Sequence, residues 1–280
     1  MTILKPNFKT IAAILLAVSM VLTIAGCGAK PSEESSSDAS SSSSSSSESV
    51  SEVQLPPDAP KESKRDKIVE MFNKNSDTVG WLFLPNTHID EAIVQNPPND
   101  TKNQYYLRKN LEKKYDFNGC YFADFECNFE DGLSRNTVIY GHNMDDNPEG
   151  IKFAQLRKWL DLDFAKKNPY IYFSTPEKDM VWKIFSVMYT SVKFNYVQTD
   201  PDNTEFLNMI NEARKASQYN YEVDVNVTDK IITLSTCTYV YGGSNTSQRY
   251  VIMARLVRPG EEMSAEISLE KNPSPKAPTF

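Results

Sequence analysis

The stretch from Ser35 to Ser49 is almost pure serine, broken only by Asp38, Ala39 and Glu48. A segment of this kind carries too little apolar surface to offset the entropy of ordering it. No folded core can include it, so the residues on either side must be read separately.

The upstream side reads as a secretion signal. Lys5 and Lys9 form a short positive region, and the apolar run from Ile11 to Ile24 follows. That run is shorter than the about 20 apolar residues of a spanning helix. It ends in Ile24-Ala25-Gly26-Cys27, which resembles the lipobox of bacterial lipoproteins. The resemblance implies that Cys27 is diacylated and becomes the first residue of the mature chain. An uncleaved signal anchor is the alternative. On both readings the rest of the chain works at the extracytoplasmic face of the cell membrane, held by a lipid or by the signal. Residues 1–27 are assigned to the signal peptide with its lipobox. Residues 28–63 are a disordered Ser-rich linker, stiffened at its end by Pro56, Pro57 and Pro60.

The foldable part starts near Lys64, with 64–260 as the domain and 261–280, rich in Pro, Glu and Lys, as a flexible tail. About 200 residues suffice for one well-buried β-rich domain. Formal charge is −7 and the basic residues are scattered. The clustered basic face of a nucleic-acid binder is missing.

Apolar periodicity predicts a helix over 65–75 and strands over 79–84, 89–95, 119–125 and 137–140. Residues 105–107 are a short helix or a loop. Helical spacing recurs over 151–160, and strands follow over 170–174 and 181–192. The clearest helix after the linker runs over 202–216, capped by Asp202 or Asn203, with Phe206, Met209, Ile210 and Ala213 on one face. The last strands are 230–236 and 250–257. Many short strands with a few interrupting helices predict a mainly β fold, a closed or nearly closed barrel.

Few residues are available for chemistry. The chain has two histidines and four cysteines. His88 lies in a turn beside Asp90 and reads as a surface residue. His142 follows an apolar strand in Tyr140-Gly141-His142-Asn143, where the glycine lets the chain turn sharply. Cys120 and Cys127 are compatible with a disulfide or with two buried small hydrophobes. No Cys-x-x-Cys pair exists, so no zinc site is expected. Cys237 ends the β-branched run Ile231-Ile232-Thr233-Leu234-Ser235-Thr236, and a thiol at the end of a rigid strand is well held for use as a nucleophile. Its bland reading is a buried inert cysteine. Arg249 begins the next strand, where a guanidinium can hold a developing oxyanion or lower a thiol pKa. Taken alone, Arg249 reads as a surface charge and His142 as a capping or solvent-facing residue.

Taken together, His142, Thr233-Leu234-Ser235-Thr236-Cys237 and Arg249-Tyr250-Val251 resemble the catalytic constellation of sortases. Tyr140 to Met144, Gly80-Trp81-Leu82, Ile89-Asp90, Val94-Gln95, Tyr105-Tyr106-Leu107 and Phe153 to Leu156 carry the same resemblance. Ser235 and the helix over 202–216 point to class B. The resemblance implies a sortase-like closed barrel of about eight strands, with an N-terminal helix and a long helix before the cysteine strand. It implies a cysteine transpeptidase with Cys237, His142 and Arg249 as catalytic residues and no cofactor. Ser235 would help to position the substrate backbone. Implied partners are secreted proteins bearing an Asn-Pro-x-Thr-like sorting signal and an amine of a peptidoglycan precursor or cross-bridge, with the membrane reached through the lipid anchor. Family members usually hang from a spanning helix, whereas this chain carries the lipobox-like run. The alternatives are a non-catalytic extracytoplasmic lipoprotein with a sortase-like barrel and a pilus-polymerising sortase.

Overall fold

A computed structural model describes residues 55–243 and 246–280. The signal, the lipobox with Cys27 and the serine tract lie outside the described residues.

The chain enters through α1 (Arg65–Lys74), whose Ile68 packs against Trp81 and Ala92. Eight strands then form a closed barrel: β1 (Thr78–Phe83), β2 (Asp90–Gln95), β3 (Tyr121–Ala123), β4 (Asn136–Tyr140), β5 (Tyr170–Ser174), β6 (Asp179–Ser191), β8 (Ile231–Cys237) and β9 (Gln248–Leu256). Their order around the wall is β1-β2-β3-β4-β8-β9-β6-β5, closed by β5 pairing with β1. The expected barrel is thus the observed one. Closure leaves the eight strands without free edges.

The centre of the wall explains its sequence. β8 pairs in parallel with β4 and antiparallel with β9. From Ile231 to Thr236 every residue of β8 is buried. A strand covered on both faces reads as a near-continuous apolar run, which is what Ile231 to Leu234 shows.

Three expectations change. The segment over 151–160 is a 3₁₀ helix, Phe153–Leu160, not an α-helix. Phe153, Leu156 and Trp159 repeat every third residue, and a three-residue turn places all three on the barrel side, where they are buried. A short helix, α2 (Leu162–Lys167), follows, started by Asp161, whose carboxylate accepts from the Phe164 N–H at 2.8 Å. The end of the chain is not loose. Leu269 is buried, β10 (Glu270–Lys271) pairs with β7 (Tyr219–Asn220), and Ser191 Oγ donates to the Thr279 carbonyl at 2.5 Å. A few apolar residues dock this segment, although its composition is polar. At the other end Pro56, counted with the linker, is buried against the domain.

The long helix α3 (Asn203–Ala216) sits where the sequence puts it, between β6 and β8. Its capping box joins Asp202 to Glu205, and it buries Phe206, Met209, Ile210 and Ala213.

Candidate active site

β8 and β9 carry the site. Their register sets Cys237 directly opposite Arg249 at the open end of the pair. Cys237 is half-buried and is the first residue of β8 to meet solvent. Ser235 lies two residues deeper on the same face and is buried, its hydroxyl sharing a 2.8 Å hydrogen bond with that of Tyr196. Burial pushes the Tyr196 hydroxyl up, with Ser235 and nearby Arg249 opposing that rise. Ser235 is therefore already engaged beneath the mouth rather than free at its surface.

β4 delivers the histidine. Its parallel register ends with Tyr140 beside Ser235, and the chain runs on two residues to His142. The joint is pinned where the ladder ends. Thr236 Oγ1 donates to the Gly141 carbonyl at 2.7 Å, and Asn143 Nδ2 donates to the Cys237 carbonyl at 2.8 Å. Gly141 is not in the left-handed region, so a sharp turn is not its reason for being glycine. An added Cβ would meet the Tyr121 ring at 2.6 Å and the Phe153 ring at 2.8 Å. The close approach of these rings is what requires glycine.

His142 is oriented by one contact. Its Nε2 lies 2.7 Å from the Leu107 carbonyl, which can only accept, so Nε2 carries a hydrogen. Nδ1 is left as the nitrogen that gains and loses a proton. Burial holds the His142 pKa below its ordinary value. The Leu107 carbonyl opposes that shift, while Arg108 and Lys152 add to it. The favoured state is a neutral imidazole.

Arg249 is half-exposed, and its Nη1 donates to the carbonyls of Thr246 at 2.6 Å and Gln248 at 2.9 Å. Among the described residues no carboxylate pairs with it. The end of the β8–β9 pair thus carries a thiol and an unneutralised guanidinium on paired residues, with a neutral imidazole on the adjoining loop after β4. These are the parts for nucleophilic attack, proton transfer and oxyanion support.

The other candidates separate cleanly. Cys120 and Cys127 are free and buried, and burial pushes both thiols up to about 12, so both behave as small hydrophobes. His88 is exposed in the turn between β1 and β2, where its N–H donates to Gln155 Oε1 at 2.7 Å. The sequence reading does not single out the Leu107 carbonyl, the Asn143 amide or the Tyr196 hydroxyl. A backbone carbonyl has no sequence signature, and Tyr196 comes from a distant connection. Asn143 alone has a signal, its place beside His142.

A family model, Sortase domain, matches residues 82–257. The chain is 38% identical to sortase B of Listeria monocytogenes over 174 residues, which is 62% of this chain and 68% of that protein. It is 31% identical to sortase B of Staphylococcus aureus over 199 residues, 71% of this chain and 78% of that one. Among solved structures, the Staphylococcus aureus sortase B–substrate complex aligns with a TM-score of 0.61 at 30% identity, covering 69% of this chain and 86% of that one. A sortase B complexed with triglycine aligns with a TM-score of 0.61 at 29% identity, covering 70% of this chain and 87% of that one.

Proposed function

Because this chain belongs to the sortase family and is a class B cysteine transpeptidase, we propose that Cys237 is its nucleophile, His142 its acid–base group and Arg249 its oxyanion donor. The observation that carries this reading is the register that sets Cys237 opposite Arg249 on one side, with the hydrogen bonds from Thr236 to Gly141 and from Asn143 to Cys237 tying the His142 segment to it on the other.

The substrate is a secreted protein whose sorting signal is Asn-Pro-x-Thr-like. The thiolate, not the thiol, is the nucleophile, so the proton must leave sulfur as it attacks. His142 Nδ1, free and neutral, takes the Cys237 proton as sulfur attacks the peptide carbonyl. The carbonyl oxygen gains negative charge, and the Arg249 guanidinium stabilises it. As the carbon–nitrogen bond breaks, Nδ1 returns the proton to the leaving amine, and a thioester remains. An incoming amine then attacks the thioester and gives its extra proton to Nδ1. A carbon–nitrogen bond forms and the thiolate leaves. The triglycine in one solved relative bears a free amine, which supports a peptidoglycan precursor or cross-bridge amine as the acceptor. Ser235, bonded to Tyr196, firms the floor beneath Cys237 on which the substrate backbone rests. Diacylated Cys27 anchors the enzyme at the outer face of the membrane, and the serine tract lets it reach the wall.

The test is mass spectrometry of the purified chain with a panel of Asn-Pro-x-Thr peptides, x being varied. The wild type should gain the mass of the acyl fragment on Cys237 and release an amine-terminated product. Cys237→Ala should show neither, with an unchanged unfolding midpoint. Turnover by Cys237→Ala would overturn the nucleophile assignment, and adducts with other sequences alone would overturn the motif.

A further inference from the structure

Behind the mouth lies a carboxylate that the mechanism above does not use. Asp146 is in the loop after β4, four residues beyond His142, and is mostly shielded from solvent, with a side-chain exposure of 21%. Asp145 and Asp146 both have positive φ, 72° and 46°. Non-glycine residues rarely adopt this backbone, and it persists only where the surroundings enforce it.

Asp146 binds both sides of the site. On the nucleophile's side, Thr238 Oγ1 donates to its two carboxylate oxygens at 3.2 and 3.4 Å, and the Tyr239 N–H donates at 3.2 Å. These are the two residues that leave β8 directly after Cys237. On the histidine's side, Asn143 Nδ2 donates to Asp146 Oδ1 and to the Cys237 carbonyl. Both amide hydrogens of Asn143 are thereby used, and its orientation is fixed. Behind all of this, Arg157 of the 3₁₀ helix pairs with Asp146 at 2.9 Å and also donates to its backbone carbonyl. The His142 carbonyl is tied to the same helix by the Phe153 N–H at 2.7 Å.

We propose that Asp146, backed by Arg157, is a positioning residue for the transfer reaction, locking the exit of β8 after Cys237 to the His142 loop so that thiol and imidazole hold one separation. This rests on the assignment of Cys237 and His142. The hydrogen bonds of a β ladder hold residues within strands, but the β4–β8 ladder ends at Tyr140 and Ser235, two residues short of both His142 and Cys237. Beyond the ladder, among the described residues, the side chains of Asn143, Asp146 and Thr236 link the two segments. A misplacement of about 1 Å between reacting groups can lower a rate about 10²-fold.

The experiment measures steady-state kinetics and thermal unfolding of the full chain with the Asn-Pro-x-Thr panel. Asp146→Ala should lower kcat about 10- to 100-fold, with KM changed less than about 2-fold, at temperatures below its midpoint. Asp146→Asn keeps one accepting oxygen but turns an amide NH2 towards the Asn143 and Arg157 donors, so its kcat should stay close to that of Asp146→Ala. Thr238→Val removes one contact and disturbs packing least. It should lower kcat several-fold, and it decides the question should Asp146→Ala not fold. Wild-type kcat in Thr238→Val and Asp146→Ala, a loss confined to KM, or wild-type kcat in Asp146→Asn would overturn the proposal. Failure of the nucleophile assignment is seen separately, as turnover by Cys237→Ala.

Discussion

Arg249 and Arg255 stand on the same strand and, by the two-residue period of a strand, on the same face. Their surroundings are opposite. Arg255 faces Ile231 at the closed end of the β8–β9 pair and is 2% exposed. Glu261 grips it through both carboxylate oxygens, at 2.6 and 2.7 Å, and the Arg255 guanidinium pulls the Glu261 carboxyl down to about 2. Arg249 faces Cys237 at the open end, and its guanidinium donates to backbone carbonyls. A neutralised guanidinium is a structural tie. An unneutralised one, held by carbonyls beside a thiol, keeps its charge available for a substrate. What separates the two roles is the carboxylate that reaches one end and not the other.

Of the two arginines, Arg249 should have the larger effect on rate. Arg249→Ala should lower kcat/KM about 10²- to 10³-fold, the usual effect of losing one oxyanion donor, about 3–4 kcal/mol. Arg249→Lys should fall nearly as far, because an ammonium does not reproduce the planar fork. Neither should move the unfolding midpoint appreciably, since no buried partner is stranded. Near-wild-type kinetics in Arg249→Lys would shift the oxyanion role to another donor.

The closed end should respond in stability instead of rate. Glu261→Gln strands a buried guanidinium. The pair is partly open to solvent on the carboxylate side, so the expected loss is about 2 kcal/mol rather than the larger cost of a fully buried pair. Urea unfolding measures it, and kcat of the folded variant should be unchanged. The pH dependence follows from the sign of the shift. A carboxyl whose folded pKa is about 2, below its ordinary value of about 4.3, adds stability that is full above about 4.3 and is lost as pH falls towards about 2. The wild type should therefore lose stability over that window more steeply than Glu261→Gln. Equal slopes would mean that Glu261 is not what neutralises Arg255.

Much of this contrast is legible in the sequence. The run Ile231 to Leu234 announces a central strand, and the cysteine ending it and the arginine opening the next strand follow from strand length alone. The sortase resemblance then joins His142 to them across nearly a hundred positions. Other features stay hidden for physical reasons. The 3₁₀ helix reads as α because Phe153, Leu156 and Trp159 fit both periods over so short a run. Asp146 is one acid among several in a turn-rich loop, and only the fold brings Thr238 and Arg157 to it. The docked C-terminal segment rests on sparse apolar anchors, Ile267 and Leu269, that its Pro, Glu and Lys content obscures. The pairing of Arg255 with Glu261 depends on a turn after β9 whose direction no residue declares.

The smallest effect concerns the imidazole, and it tests whether the open end is biased towards positive charge. Burial is the main reason that His142 titrates below the ordinary histidine value of about 6.5, with Arg108 and Lys152 as lesser causes. With a neutral His142 as the base, kcat/KM should hold as pH falls past about 6.5 and then drop as the imidazole protonates. Lys152 is partly neutralised by Glu91, 2.7 Å away, and its ammonium lies 4.7 Å from the Tyr121 ring centroid. Lys152→Met should move the His142 titration upward, because a repelling cation is gone. Glu91→Gln should move it downward, because the same cation is left unopposed. Each change should be smaller than the burial effect, since the ring keeps its contact with Leu107. Proton NMR of the ring hydrogens reads this directly in a chain whose second imidazole, His88, lies in the exposed β1–β2 turn. Opposite signs in the two variants would show that His142 senses the balance of charge at the open end. A downward shift in Lys152→Met would mean that the cation acts on His142 through packing, and the electrostatic contrast between the two ends of β9 would then rest on the arginines alone.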